Sequence, residues 1–227
     1  VYQALQGADV VIHDRLVGAE VLSLIPPHVR LMDVGKEGFG PSTAQSVINA
    51  TLVQQAQTGA RVVRLKGGDC GIFGRLDEEI NALEAANLTY SILPGLTAAS
   101  VAAASIGQSL TRRGRNASLR IVTGHDMAGF ADQDWRGMAR LGEVTAIYMG
   151  KKSARFVQGR LMMHGAATDT PVTLVENVSR ADQRVVAATL ASLPKAAQSL
   201  DGPAVILFGL APRHATPALS QLKEAQA

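Results

Sequence analysis

Charged residues stand where three short apolar runs break off. Asp14 and Arg15 follow Val10-Val11-Ile12-His13, Lys36 follows Leu31-Met32-Asp33-Val34-Gly35, and Asp69 follows Arg64-Leu65-Lys66-Gly67-Gly68. A carboxylate and an ammonium brought together can serve as general base and general acid, and Asp14 and Lys36 form the pair so placed. Asp69 closes a different kind of motif. Residues 62–75, VVRLKGGDCGIFGR, pass from an apolar run into a glycine-rich loop. The paired glycines carry no side chain, so backbone N–H groups can approach a ligand, and the Asp69 carboxylate suits an amine or a ribose hydroxyl. Each feature has a plainer alternative. Asp14 or Lys36 also fits a surface salt bridge, and Gly67-Gly68-Asp69 also fits an ordinary strand-to-helix turn.

Other chemistries fail on their spacing. No G-x-G-x-x-G follows an apolar run. Gly150-Lys151-Lys152-Ser153 imitates the end of a phosphate-binding loop, but Thr145 stands where its first glycine belongs. No G-x-S-x-G nucleophile turn is present. Cys70, the single cysteine, has no evident histidine partner for nucleophilic work. His13, His28, His125, His164 and His214 lie far apart and lack metal-ligand spacing. Arg112, Arg113, Arg115 and Arg120 cluster in the chain. Their planar forks suit carboxylates or phosphates, and the alternative is a solvated linker.

These groups need a frame to hold them. Of 227 residues, 47% are hydrophobic and 4% aromatic, with much Ala, Val, Leu and Gly, which predicts α/β architecture with a full core. The net charge of +3 is a mild basic excess without a Lys/Arg block interleaved with aromatics, so a nucleic-acid groove is not indicated. One cysteine excludes a disulfide framework and fits a reducing cytoplasm. No apolar run reaches membrane-spanning length. The pattern predicts strands at 9–13, 29–34, 61–65 and 90–93 alternating with helices, hence a parallel sheet. Ser42 or Thr43 is the expected N-cap of the helix running to about 57, and Thr97 that of a small-residue helix over 98–106. The polar, basic segment 111–118 is the expected linker, dividing the chain into domains 1–112 and 113–227. The second half predicts strands at 119–123, 144–149, 171–175, 183–188 and 204–209, with helices at 135–141, 156–164 and 190–200. In a parallel sheet the ends carrying Asp14, Lys36 and Asp69 share one edge. Val1 in place of Met, and an opening that reads as mid-helix, point to a fragment.

Taken in order, ADVVIHDRLV (8–17), VGK (34–36), RVVRLKGGD (61–69), IFGR (72–75), LPGLTAAS (93–100), LTRR (110–113), VTGHD (122–126), IYMGKK (147–152), PVTLVEN (171–177) and DQRVV (182–186) resemble the tetrapyrrole (class III) methyltransferases, in the uroporphyrinogen-III C-methyltransferase branch. The resemblance covers residues 2 to 213. It implies two α/β domains with mainly parallel sheets, S-adenosylmethionine in the cleft between them, and a homodimer. It implies methylation of uroporphyrinogen III at two pyrrole carbons, giving precorrin-2 for siroheme and cobalamin. By motif position, Asp14 matches the general base and Lys36 the general acid. Gly67, Gly68, Asp69 and Ile72 match the cofactor loop, and Thr97, Ala98, Met149 and Val178 further cofactor positions. Arg15, Arg112, Arg113 and His125 fall to the carboxylate-rich substrate. The chain also departs from the pattern. The family's first strand and its G-x-G-P-G-D loop do not precede Val1, Cys70-Gly71 replaces Pro-Phe, Arg112 replaces a histidine, Leu76-Asp77 replaces a glycine pair, and Val178 replaces a glycine. Alternatives are the same fold acting on a later corrin intermediate or on ribosomal RNA, and a cofactor-binding part of a larger siroheme-forming polypeptide without activity of its own.

Overall fold

The computed structural model describes residues 1–35, 43–125 and 129–213. The chain forms two compact units, Val1–Thr97 and Ala98–Ala227.

The first unit runs α1 (Tyr2–Gln6), β1 (Val10–His13), α2 (Ala19–Leu22), β2 (Arg30–Asp33), α3 (Gln45–Gln57), β3 (Val62–Leu65) and α4 (Leu76–Ala85). Its sheet has the order β2-β1-β3, all parallel. The central strand is Val-Val-Ile-His, buried at all four positions, because a parallel strand is covered on both faces. Alternation sends Val11 to one side, with Leu5, Ala8, Val17, Ile25, Val29 and Leu65. Val10 and Ile12 go to the other, with Leu52 of α3. The register sets His13 beside Asp33 and Leu65, so the three strands end level with one another.

Two expectations change here. Residues 90–93 form no strand; residues 88–97 are irregular, with Tyr90 42%, Ile92 49%, Leu93 46% and Leu96 75% exposed. A strand exists by its ladder, and among the described residues nothing pairs with this apolar run. Helix α3 is preceded by Ala44, not by a capping hydroxyl; the Thr43 Oγ1–H donates instead to the Gly35 carbonyl at 3.4 Å. Ser42, the other expected cap, lies outside the described residues.

The second unit runs α5 (Ala98–Ser105), β4 (Arg120–Thr123), α6 (Trp135–Met138), β5 (Thr145–Tyr148), α7 (Ala154–Met163), β6 (Pro171–Glu176), β7 (Arg184–Thr189), α8 (Leu193–Gln198) and β8 (Ala204–Phe208). Its sheet, in the order β4-β5-β8-β6-β7, is mixed. β4 and β5 are parallel, while β8 is antiparallel to both β5 and β6, and β6 is antiparallel to β7. One face carries Ile147, Leu174, Ile206 and Phe208 with Trp135, Val157, Leu161 and Leu193. The other carries Ala146, Val175, Val205 and Leu207 with Ala99, Ala102, Ala103 and Ile106 of α5. The alanine face of α5 lets its backbone lie close on the sheet, so this helix belongs to the second unit. The division at 112 drawn from sequence and the observed one at Thr97 therefore differ by α5 and the segment after it. Segment 111–118 is tied down as a turn. Arg112 and Asn116 form a bridge, and the Asn116 amide donates to the Leu110 carbonyl at 3.0 Å and the Ser118 carbonyl at 2.7 Å.

Candidate functional site

The strand ends of the first unit hold a connected group of charged residues. Asp14 leaves β1 and turns back on itself, its Oδ1 accepting from the Leu16 N–H at 2.9 Å. Its Oδ2 lies 3.6 Å from a guanidinium nitrogen of Arg64 on β3. Arg64 in turn donates through Nε to Glu79 Oε1 at 3.0 Å, and Glu79 Oε2 accepts from Lys66 Nζ at 2.6 Å. Glu79 is 3% exposed, on the face of α4 that also carries Leu76, Ile80 and Leu83. A buried carboxylate stands only when its charge is matched, and here two cations match it.

Arg15 Nε lies 3.4 Å from Asp33 Oδ2, with both side chains about half exposed. The other Asp33 oxygen accepts from the Gly35 N–H at 2.7 Å, turning the chain after β2. A Cβ at Gly35 would lie 2.5 Å from Arg15 Cγ, so the turn needs its glycine. Lys36 lies outside the described residues.

The glycine-rich loop packs against the Asp14 turn. A Cβ on Gly67 would lie 2.7 Å from Leu16 Cβ and 2.9 Å from the Leu16 carbonyl carbon, so only glycine lets β3 exit there. Gly68 follows at φ +86, leaving its backbone exposed in a conformation that L side chains rarely adopt. Asp69 then binds the loop to the next segment: Oδ1 accepts from Gly71 N–H at 2.8 Å and Oδ2 from Gly95 N–H at 3.0 Å. Each carboxylate oxygen keeps acceptor capacity beyond that one bond. The Ile72 N–H donates to the Asp69 carbonyl at 3.2 Å, winding residues 69–75 tightly. Phe73 and Arg75 stand in the left-handed region at φ 53 and 55, an arrangement that the surrounding turn must enforce. Arg75 grips Glu78 with both 2.6 Å bonds of a bidentate pair. That pairing raises the Arg75 pKa and lowers that of Glu78. Gly67, Gly68, Asp69 and Ile72 are thus brought together, with Thr97 following the Gly95 turn in the same unit.

In the second unit Ala98 opens α5, His125 follows β4, Met149 follows β5 and Val178 follows β6. The Ala99 N–H, next to Ala98 at the start of α5, donates to the Tyr148 hydroxyl at 2.8 Å. Met149 follows at φ 54 with 52% of its surface exposed. Val178 packs against the core cluster that includes α5, as Tyr148 does, and lies between Asn177 and Ser179, both at positive φ. Glu176, 2% exposed, anchors this corner by accepting from the Gly202 N–H and from Arg184 at 3.2 Å. Gly124 and Gly150 abut, since a Cβ on Gly124 would lie 2.7 Å from Gly150 Cα. His125 is exposed, its N–H donating to Thr123 Oγ1 at 3.3 Å.

The arginine cluster divides. Arg120 pairs with Glu143 and Asp134. Arg115 donates to the Ser109 carbonyl at 2.7 Å, and burial then neighbouring Arg112 lower its pKa. Arg112 and Arg113 stay exposed without a side-chain ion pair among the described residues. A cavity of about 640 Å³ between α7 and α8, lined by Phe130, Phe156 and Leu200 among others, contains none of the predicted residues. Among the described residues no His/Cys/Asp/Glu group has the arrangement of a metal site, and no helix is long and apolar enough to cross a membrane.

Sequence reasoning missed Arg64, Glu79 and the Gly95 turn as parts of this region. A signal existed for Glu79, a carboxylate at the apolar spacing of Leu76, Ile80 and Leu83.

Residues 1–194 match the family described as Tetrapyrrole (Corrin/Porphyrin) Methylases. The chain is 44% identical over 207 residues to a siroheme synthase of Edwardsiella ictaluri, covering 91% of this chain and 45% of that protein. It is 42% identical over 205 residues to siroheme synthase 3 of Aeromonas hydrophila, covering 90% and 44%. It thus spans less than half the length of these curated relatives. Among solved structures it resembles uroporphyrin-III C-methyl transferase from Thermus thermophilus complexed with S-adenyl homocysteine, with TM-score 0.76, 30% identity and coverage of 92% and 88%. A cobalt precorrin-4 methyltransferase, at TM-score 0.80 and 21% identity over 92% and 86%, shares the fold.

Proposed function

From the premise that this chain belongs to the tetrapyrrole methylase family, we propose that it moves methyl groups from S-adenosylmethionine onto two pyrrole carbons of uroporphyrinogen III, giving precorrin-2 for siroheme and cobalamin. The observation that carries the reading is the joined loop of Gly67, Gly68 and Asp69, closed on Gly95 beside the Asp14 turn. Its bare backbone and spare carboxylate capacity fit the amine and hydroxyl groups of that cofactor. Gly67, Gly68, Asp69, Ile72 and Thr97 in the first unit, and Ala98, Met149 and Val178 in the second, are the residues proposed to hold it. When bound, the cofactor supplies a methyl group already activated by a sulfonium.

The chain's own task is then placement and proton handling. Asp14 is the proposed base that takes the proton leaving the substrate carbon, and a quarter of its side chain is exposed to receive it. A general base contributes ~10²–10⁴-fold. Lys36 is the proposed acid. Exposed Arg112, Arg113 and His125, with Arg15, are proposed to meet the substrate's carboxylates. We further propose a cytoplasmic setting, consistent with a single free cysteine, and the homodimer that the family resemblance implies.

A second reading rests on the chain's span of less than half its relatives: a cofactor-binding part without turnover of its own. An anaerobic assay with S-adenosylmethionine and uroporphyrinogen III separates the two. Gain in mass of two methyl groups, lost in Asp14→Ala, supports the enzyme and the base together. Gain retained in Asp14→Ala removes the base. Calorimetric binding of the cofactor without product favours the second reading, and neither product nor binding leaves only the fold.

A further inference from the structure

We infer that Arg64 and Glu79 are positioning residues for the Asp14 carboxylate, an inference that rests on the proposed role of Asp14 in proton transfer. Arg64 lies on β3 directly beside Ile12 of β1, and its guanidinium is held on all sides. Nε donates to Glu79 Oε1 at 3.0 Å, one terminal nitrogen donates to the carbonyls of Leu65 at 2.8 Å and Ile12 at 3.4 Å, and the other faces Asp14 Oδ2 at 3.6 Å. The fork therefore has one orientation. Asp14 Oδ1 is held by its own Leu16 turn, and Oδ2 stands within ion-pair reach of Arg64 on β3, beyond direct hydrogen-bond distance.

Glu79 locks the far side of the fork. Its second oxygen takes Lys66 Nζ at 2.6 Å, and the Gln45 amide stands 3.4 Å from Oε1. The side chains of Arg64, Lys66 and Glu79 are 12%, 9% and 4% exposed, against 25% for Asp14. With all four ionised, Asp14, Glu79, Arg64 and Lys66 balance in charge, and only Asp14 opens toward solvent. A buried ion pair returns about what its desolvation costs, so apolar residues would fasten α4 to β3 equally well. What the charged set adds is a defined orientation for one carboxylate. Lysine keeps the charge of Arg64 but not the planar fork, which makes Arg64→Lys the discriminating change.

The test combines turnover with a measurement independent of it. The chain, Arg64→Lys, Glu79→Gln, Asp14→Asn and the Arg64→Lys/Asp14→Asn double variant are compared for kcat, KM and calorimetric affinity for S-adenosylmethionine. Arg64→Lys is expected to lower kcat on the order of 10²-fold, as a displacement of about 1 Å does, with cofactor affinity and KM within about twofold. In the Asp14→Asn background the same change is expected to do nothing further. Equal fold-losses in both backgrounds, or an unchanged kcat in Arg64→Lys, overturn the inference. Full activity in Asp14→Asn sinks the base itself instead. On the same samples, nitrogen-15 NMR of the Arg64 Nε–H is expected to show a slowly exchanging signal that shifts in Asp14→Asn and exchanges faster in Glu79→Gln. A signal indifferent to both variants overturns the inference whether or not the chain turns over.

Discussion

The Asp69 carboxylate reaches across 26 residues of sequence to accept the Gly95 N–H at 3.0 Å, while its other oxygen caps Gly71. One side chain thereby fixes both the glycine-rich loop and the turn that leads to Thr97. Removing it orphans two backbone donors at about 1–3 kcal/mol for each that becomes buried and unpaired. Asp69→Ala is expected to lower stability in denaturant titration and to weaken S-adenosylmethionine binding at least tenfold by calorimetry. Asp69→Asn retains an acceptor and is expected to fall between. Cofactor affinity unchanged in Asp69→Ala would remove this loop from the proposed site.

Gly95 is expected to tolerate no side chain. A Cβ there would press on the Gly68 carbonyl oxygen, which is backbone and has nowhere to go. Gly95→Ala should therefore cost ~1–3 kcal/mol and loosen cofactor binding. Gly159 makes the contrast, since it lies in the middle of α7 with nothing within 4 Å of its added Cβ. Gly159→Ala is expected to raise stability by about 0.5–1 kcal/mol through helix propensity. Thermal unfolding of the two variants decides the matter; equal shifts would contradict the packing argument.

The corner at Asn177–Ser179 depends on Glu176. Glu176→Ala leaves the Gly202 N–H without its acceptor and frees Arg184 into solvent, where that cation costs little. The expected loss is about 1–3 kcal/mol by denaturant titration, dominated by the unpaired, part-buried N–H. Arg184→Ala is expected to cost more, about 3–5 kcal/mol, because it leaves the Glu176 carboxylate, 2% exposed, without its cation. The reverse ranking would mean that the backbone bond, not the ion pair, holds the corner.

Three exposed carboxylates are expected to contribute to the acid limb of stability. The Arg61 backbone N–H, then its guanidinium, hold the Asp9 carboxyl below its usual range. The Trp135 indole N–H, then the Gln133 N–H, do the same for Asp132, and Arg75 does so for Glu78. A carboxyl with a lowered folded pKa binds fewer protons folded than unfolded, so its contribution is present above the ordinary carboxylate pKa and lost as pH falls through the folded one. Stability is expected to be level near neutrality and to decline below about pH 4. Asp132→Asn should flatten part of that decline, read by tryptophan fluorescence at Trp135. An acid limb identical in the variant would exclude Asp132 from it.

Much of the site was legible from spacing alone. Strand-end placement of Asp14 and Asp69 followed from apolar runs ending in polar residues, and the parallel register delivered it. Gly67 was read from sequence as open to a ligand, and in the structure its bare backbone admits the close approach of Leu16. The strand expected at 90–93 failed on grounds that no local pattern contains: its residues have strand composition, but composition does not supply a partner. Likewise α5 reads the same whichever sheet it covers, and its position was settled by Val205 and Leu207 presenting an apolar face to Ala99, Ala102 and Ala103.

By itself the sequence determined which residues end each strand, where glycine is required, and which family the motifs resemble, because these depend on local periodicity and on side-chain type. Only the tertiary structure decided what those residues touch. It gave Asp69 to Gly95, Arg120 to Glu143, and Arg64 to both Asp14 and Glu79. Such pairings join segments far apart in the chain, and their geometry is fixed by packing between elements, which no short window of sequence records.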